Sequence, residues 1–299
     1  MKKKIINIII IIIFLVGLGI FFYPIIINEI NNYINIKVID KYYENKENLN
    51  NELSNKIEDD NKNKDIDKLY EDMKAYNDKI YNDKQKDLKD PFSYEEASFD
   101  LKKIGFSENI VGYLSIPVMN LKLPIYLGAN DDNMSKGAVQ MSQTSLPIGG
   151  ENTNCAVAAH RGWKYQAMFR DIEALSIGDE VTITNLWETL EYKVSEIKII
   201  DPTDISEVLI QDGRDLVTLI TCHPYTINNL RYLVYCERVN KDIDTEYEKS
   251  NMDLSKEQEV IKVDYLLKLE NTVQKVVIII LASAVILFIG RVIYIKVKR

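Results

Sequence analysis

The 299-residue sequence predicts a mainly β fold: a closed or nearly closed β-barrel with short helices, preceded by N-terminal helices and flanked by two transmembrane helices. Three observations predict it. From about residue 104 onward, short runs rich in Val, Ile, Thr and Tyr recur with Gly or Pro between them, as many short strands joined by turns require. Earlier in the chain no Gly or Pro lies between Ile25 and Asp90, and apolar residues there fall at helical spacing. Each end of the chain carries an apolar run long enough to cross a bilayer.

The first run, residues 5–27, is about 23 residues long, more than the core of a signal peptide, and follows Lys2, Lys3 and Lys4. The second, residues 276–295, is interrupted by Arg291 alone and precedes Lys296, Lys298 and Arg299. Cations on the outer ends of both runs place residues 1–4 and 296–299 in the cytoplasm and everything between the spans outside the cell. The formal net charge is −8. Those seven cations all belong to the ends, so the segment between the spans carries about −15 and is a poor partner for nucleic acid. Its acidity reads as a solvated surface rather than as a device for recognising acids or cations.

Residues 28–103 are expected to be helical. Leu69, Met73, Tyr76 and Ile80 share one helix face, and Leu49, Leu53 and Ile57 repeat the pattern more weakly; the alternative is a charged stalk. Asp90-Pro91-Phe92 ends this region, because the residue before proline avoids the helical conformation. The barrel is expected over residues 104–240. Its strands are read at residues 111–117, 121–126, 155–159, 180–184, 190–200, 216–221 and 231–239, with short helices at 133–138, 163–171 and 204–209. Residues 241–275 turn charged again, with Val260, Val263, Leu266 and Leu267 at helical spacing, and read as a stalk leading into the second span.

The chemistry is concentrated where an apolar, β-branched run ends in Cys222. Pro224 cannot donate to a ladder, so pairing stops behind the cysteine, which stands at a strand mouth. Nine residues separate Cys222 from Arg231, a spacing that fits two neighbouring strands joined by a turn and brings a guanidinium toward the thiol. Such a cation favours thiolate and can hold an oxyanion. The chain has only two histidines. His160 ends an apolar strand and opens a loop, as a working imidazole would, whereas His223 directly follows Cys222 and points to the opposite face, where it shapes the pocket. Cys155 and Cys236 lie in apolar runs and read as buried core thiols. Without paired cysteine motifs no zinc site is expected, and the chemistry calls for no cofactor.

These residues resemble a known family. Leu219-Ile220-Thr221-Cys222 is similar to the TLxTC box of sortases, Ala159-His160-Arg161-Gly162 to their histidine box, and Arg231 to their essential arginine. Residues 145–153 and 198–204 also resemble sortase sequence, and the likeness runs from about Phe92 to Val239. Two spans and Asp90-Pro91-Phe92 resemble class C, the pilus-polymerising sortases, whose lid carries an Asp-Pro-Trp or Asp-Pro-Phe motif. The chain departs from that class at His223, where Thr is common, and at Leu230, where His is common.

The resemblance implies a sortase-type barrel with Cys222, His160 and Arg231 as catalytic residues. Asp90 and Phe92 would form a lid, pairing with Arg231 and covering Cys222 and His160, while Thr221 and His223 would line the pocket. It implies cleavage of an LPxTG-like sorting signal between Thr and Gly through a thioacyl-enzyme. The acceptor would be a pilin lysine or, in the alternative, an amine of the cell-wall precursor. The non-enzymatic alternative is an extracellular scaffold held by two spans, which leaves the three boxes unexplained.

Overall fold

Eight strands close into a barrel in the order β1-β2-β3-β4-β7-β8-β6-β5. The structure, a computed structural model, describes residues 2–55, 60–93, 95, 97, 99, 101, 109–163 and 166–239. The strands are β1 (Ile110–Ile116), β2 (Leu121–Leu127), β3 (Ala138–Gln140), β4 (Thr153–Ala158), β5 (Glu180–Thr184), β6 (Thr189–Ile200), β7 (Asp215–His223) and β8 (Leu230–Arg238). Two pairings are parallel, β2 with β3 and β4 with β7; the other six are antiparallel.

Alternation along the strands sorts side chains to two faces. One face fills the barrel: Leu114, Ile125, Val157, Ile183, Leu219 and Val234 belong to a single buried cluster to which every strand contributes. The other face carries a second cluster that includes Ala156, Ala158, Ile220, Leu233 and Tyr235, with Val208 of the β6–β7 loop and Ile39 and Tyr42 of helix α1 (Lys2–Asn55) among its members. Being covered on both faces explains why β7 reads as a nearly unbroken apolar run rather than as an alternating one. Cys155 and Cys236 lie on the interior face as free, buried thiols, and burial pushes both well above the ordinary thiol range.

Helix α2 (Asp60–Asn82) packs Leu69, Met73 and Ile80 inward, the face its spacing predicts. Asn77 fixes it further: its amide donates to the Leu146 carbonyl (3.3 Å) and accepts from the Leu146 N–H (2.7 Å). The second expected pattern, at Leu49, Leu53 and Ile57, rests on side chains outside the described ones.

Among the described residues no helix is long and apolar enough to cross a membrane. The second expected span and the stalk before it lie outside the described residues. The described helices therefore do not bear out the expectation of two transmembrane helices.

Two smaller expectations change as well. None of the described residues between 163 and 171 is helical: Trp163 and Gln166 form an isolated bridge and the Phe169 N–H bonds the His160 carbonyl (3.0 Å). Met168 and Phe169 are buried, so the loop is held by apolar anchors and not by helical bonds. Strand β3 is new; three residues are too few to show a period. The helix expected at 133–138 is α3 (Asp131–Lys136), capped by Asn130, whose side chain accepts from the Asn133 N–H (2.9 Å). The one expected at 204–209 is a 3₁₀ turn at Ile205–Val208.

Candidate active site

Cys222 is the penultimate residue of β7, and its register partner on β8 is Arg231. In an antiparallel pair, directly opposed residues share a face, so the thiol and the guanidinium leave the sheet on the same side. Parallel pairing with β4 runs Ala156↔Thr218, Val157↔Leu219 and Ala158↔Ile220, and continues in the bond from the Ala159 N–H to the Ile220 carbonyl (3.2 Å). Carried two residues further, that register sets His160 beside Cys222. The turn between β7 and β8 is closed by bonds from the Ile227 and Asn228 N–H groups to the Pro224 carbonyl.

The strap at residues 88–93 crosses this face. Arg231 donates Nε–H to Asp90 Oδ1 (2.6 Å) and Nη2–H to Asp90 Oδ2 (2.8 Å), a two-pronged pair with both side chains largely buried. Its remaining Nη1 donates to the carbonyls of Leu230 (3.0 Å) and Asn228 (3.2 Å). The guanidinium carbon lies 4.8 Å from the centre of the Phe92 ring, and that ring lies 5.8 Å from the His160 imidazole. On its other side His160 stacks on Trp163, centroids 4.5 Å apart and planes within 13°. The imidazole is thus sandwiched between two aromatic rings, with Nε2 buried and without a hydrogen-bond partner.

Burial sets the titration of this group. It draws His160 below the ordinary imidazole value, against a smaller upward influence from Asp131. It pushes the Cys222 thiol up; Arg231 and Arg161 pull the thiol down, and Asp90 pushes it further up. Burial also works against the charge of Arg231, but the Asp90 carboxylate overrides it and holds the guanidinium above its ordinary value. In this arrangement the thiol faces a cation already engaged by a carboxylate.

The expected pocket residues lie on the other face. Thr221 is fully buried and donates its hydroxyl to the Ala159 carbonyl (2.8 Å), tying β7 to the end of β4. His223 Nδ1 lies 2.7 Å from Arg161 Nη1 and 3.2 Å from Glu173 Oε1. Arg161, Trp163 and Glu173 were not among the residues singled out from sequence. Arg161 stands inside the histidine box itself, so only its neighbour His160 drew attention. Beside Arg231 the strap also lines a shallow recess with apolar side chains including Pro91, Met141, Ile205, Ile220 and Leu233.

Comparison with known proteins adds to this geometry. The family model described as Sortase domain matches residues 114–239. The chain is similar to Sortase A of Bacillus anthracis, 31% identical over 148 residues that make up 50% of this chain and 66% of that protein. It thus spans just under two thirds of the first curated relatives it matches. Among solved structures, Sortase C of Streptococcus pneumoniae superposes with a TM-score of 0.58 at 30% identity, covering 68% of this chain and 97% of that one. Sortase C1 of the Group B Streptococcus Pilus Island 1 gives 0.54 at 33% identity, covering 59% and 83%.

Proposed function

The chain belongs to the sortase family, and from that premise we propose that it is a class C cysteine transpeptidase that joins LPxTG-like sorting signals to a pilin lysine. The observation that carries this reading is the position of Asp90 and Phe92: the strap seats a carboxylate on Arg231 and an aromatic ring between Arg231 and His160. A lid that occupies the groups a substrate would use is the class C feature, and two class C structures are among the chain's neighbours.

The chemistry follows from the placement. With the strap lifted, Cys222 attacks the Thr carbonyl of the sorting signal, the C–N bond to Gly breaks, and a thioester forms on Sγ. His160, facing Cys222 on the same side of the sheet, takes the thiol proton as Sγ attacks, delivers it to the leaving amine and later takes one from the incoming amine. Arg231, released from Asp90, holds the carbonyl oxygen as it gains charge.

Membrane attachment with an extracellular barrel is part of the same proposal. What supports it is the composition of residues 5–27 and the exposure of Ile12, Ile13, Phe14, Leu15 and Val16 on α1. Five consecutive exposed apolar residues cover every side of a helix, a pattern that water does not tolerate and lipid does.

The test offers the full chain in detergent an LPxTG-type peptide together with two competing amines, a lysine-bearing pilin fragment and a cell-wall peptide, and reads the products by mass spectrometry. An isopeptide to the pilin lysine is expected. A product with the wall amine alone would reassign the chain to anchoring surface proteins, and no product with either would remove the transpeptidase reading.

A further inference from the structure

One buried cation near the active site has no part in the chemistry above. Arg161 is 7% exposed, and its guanidinium makes three separate contacts. Nη2 pairs with Glu173 Oε1 (2.5 Å), Nη1 lies 2.7 Å from His223 Nδ1, and Nη1 donates to the carbonyl of Cys222 (3.4 Å). Its guanidinium carbon also lies 5.8 Å from the centre of the Tyr232 ring, which in turn lies 5.5 Å from the His223 imidazole.

Alternation explains the arrangement. Ala158 and Ile220 point to the outer cluster, and Ala159 and Leu219 to the barrel interior. Two steps on, His160 and Cys222 emerge on the outer face. Their immediate successors, Arg161 and His223, turn to the opposite face, at the mouth of the barrel. Strands β4 and β7 each end in one reacting residue followed by one member of this second pair. The ladder between β4 and β7 has run out by this point, its last bond being that of the Ala159 N–H. The chain after Arg161 then turns sharply at Gly162, where φ is +89°. Beyond the ladder the Thr221 hydroxyl bonds the Ala159 carbonyl, and one residue further on Arg161 ties the strand ends through the Cys222 carbonyl and the His223 ring.

We propose that Arg161 is a positioning residue for the reaction: it clamps the end of β4 to the end of β7 on the face away from the sulfur and so fixes the placement of His160 against Cys222. This rests on the reading of Cys222 and His160 as the reacting pair. A guanidinium does not give up its protons, so the 2.7 Å approach of Arg161 Nη1 to His223 Nδ1 is a hydrogen bond in the tautomer that leaves Nδ1 bare, with Glu173 Oε1 3.2 Å from the same nitrogen. Glu173 braces the clamp from the solvent side. Lysine cannot replace it, because an ammonium on a flexible stem does not reach three acceptors in one plane.

The test uses the full chain in detergent with Arg161→Lys and Arg161→Met. Four quantities are read: kcat and KM with an LPxTG-type peptide, the rate of Cys222 alkylation, the ring ¹⁵N resonances, and the unfolding temperature. Cys155 and Cys236 are buried, so alkylation reports Cys222, and two histidines make the ring spectra simple to assign. Arg161→Lys is expected to unfold within a few degrees of the parent and to lose roughly tenfold or more in kcat with little change in KM, the size of one misplaced charge-assisted contact. Arg161→Met is expected to lose the acceptor-type Nδ1 signal of His223. If Arg161→Met does not fold, Arg161→Lys decides alone. A folded Arg161→Lys with parental kcat and parental His223 resonances overturns the proposal. A parent chain that makes no product refutes the transpeptidase reading separately. The clamp is then judged by alkylation: a rate changed roughly tenfold in Arg161→Lys supports it and an unchanged rate overturns it.

Discussion

At the sulfur of Cys222 two sets of influences oppose each other. Burial and the Asp90 carboxylate push the thiol up, Arg231 and Arg161 pull it down, and with the strap seated the upward push wins. Removing the carboxylate therefore lowers the thiol's pKa and raises the thiolate fraction at any pH below it. Asp90→Ala should speed alkylation of Cys222 at pH 7 and move the pH midpoint of the reaction downward. An unchanged or upward midpoint would show that Asp90 does not control the thiol. Phe92→Ala should also speed alkylation, by uncovering the site, and equal rates in parent and variant would count against a lid. Cys222, His160, Arg231, Asp90 and Phe92 were legible in the sequence because each sits in a short motif whose chemistry shows locally. Arg161, His223 and Glu173 were not legible as a group. Their meeting depends on the parallel pairing of β4 with β7, strands some sixty residues apart in the chain.

The strap is tied at its base as well as at its tip. Gln85, buried just beyond α2 with φ +48°, donates to the Gln143 carbonyl (2.9 Å) and accepts from the Ile210 N–H (2.6 Å), which lies in the loop between β6 and β7. Tyr81 adds a hydroxyl bond to Asp212 in the same loop (3.0 Å). Gln85→Ala leaves the Ile210 N–H without its partner and should cost about 1–3 kcal/mol. Hydrogen exchange at Ile210 should then be at least roughly tenfold faster, while exchange in the core of β7 stays slow. Parental protection at Ile210 would mean that another acceptor replaces the glutamine. The helices were readable from Leu69, Met73, Tyr76 and Ile80, since a one-sided apolar stripe has a single explanation. The loop at 163–171 misled because Trp163, Met168 and Phe169 are apolar anchors at irregular spacing; composition alone does not separate such a loop from a short helix. Strand β3 escaped notice because its order comes from pairing with β2 and β4.

As a whole, the molecule has a barrel covered on two faces, a strap across its reactive edge and, near the start of the chain, the apolar run of residues 5–27. If that run is an anchor, the full chain should pellet with membranes and come into solution only with detergent, and so should a chain lacking residues 276–299, whereas a chain lacking both residues 2–27 and 276–299 should remain in the supernatant. Recovery of the full chain in detergent-free supernatant would exclude the anchor. The barrel's outline was legible because its strands are separated by turn residues. The closed barrel expected from the many short strands is the one found; the order of its strands, with β1 meeting β5, was not readable, because those contacts are distant in sequence. The central claim is that Cys222 is the nucleophile of a transpeptidation, and intact mass of the chain incubated with an LPxTG-type peptide in the absence of any amine tests it most directly. The account predicts a thioester adduct carrying the peptide up to its Thr, located on Cys222, absent in Cys222→Ala and discharged when an amine is added. A parent chain that releases the Gly-side fragment without ever holding an adduct, or an adduct that persists in Cys222→Ala, would contradict it.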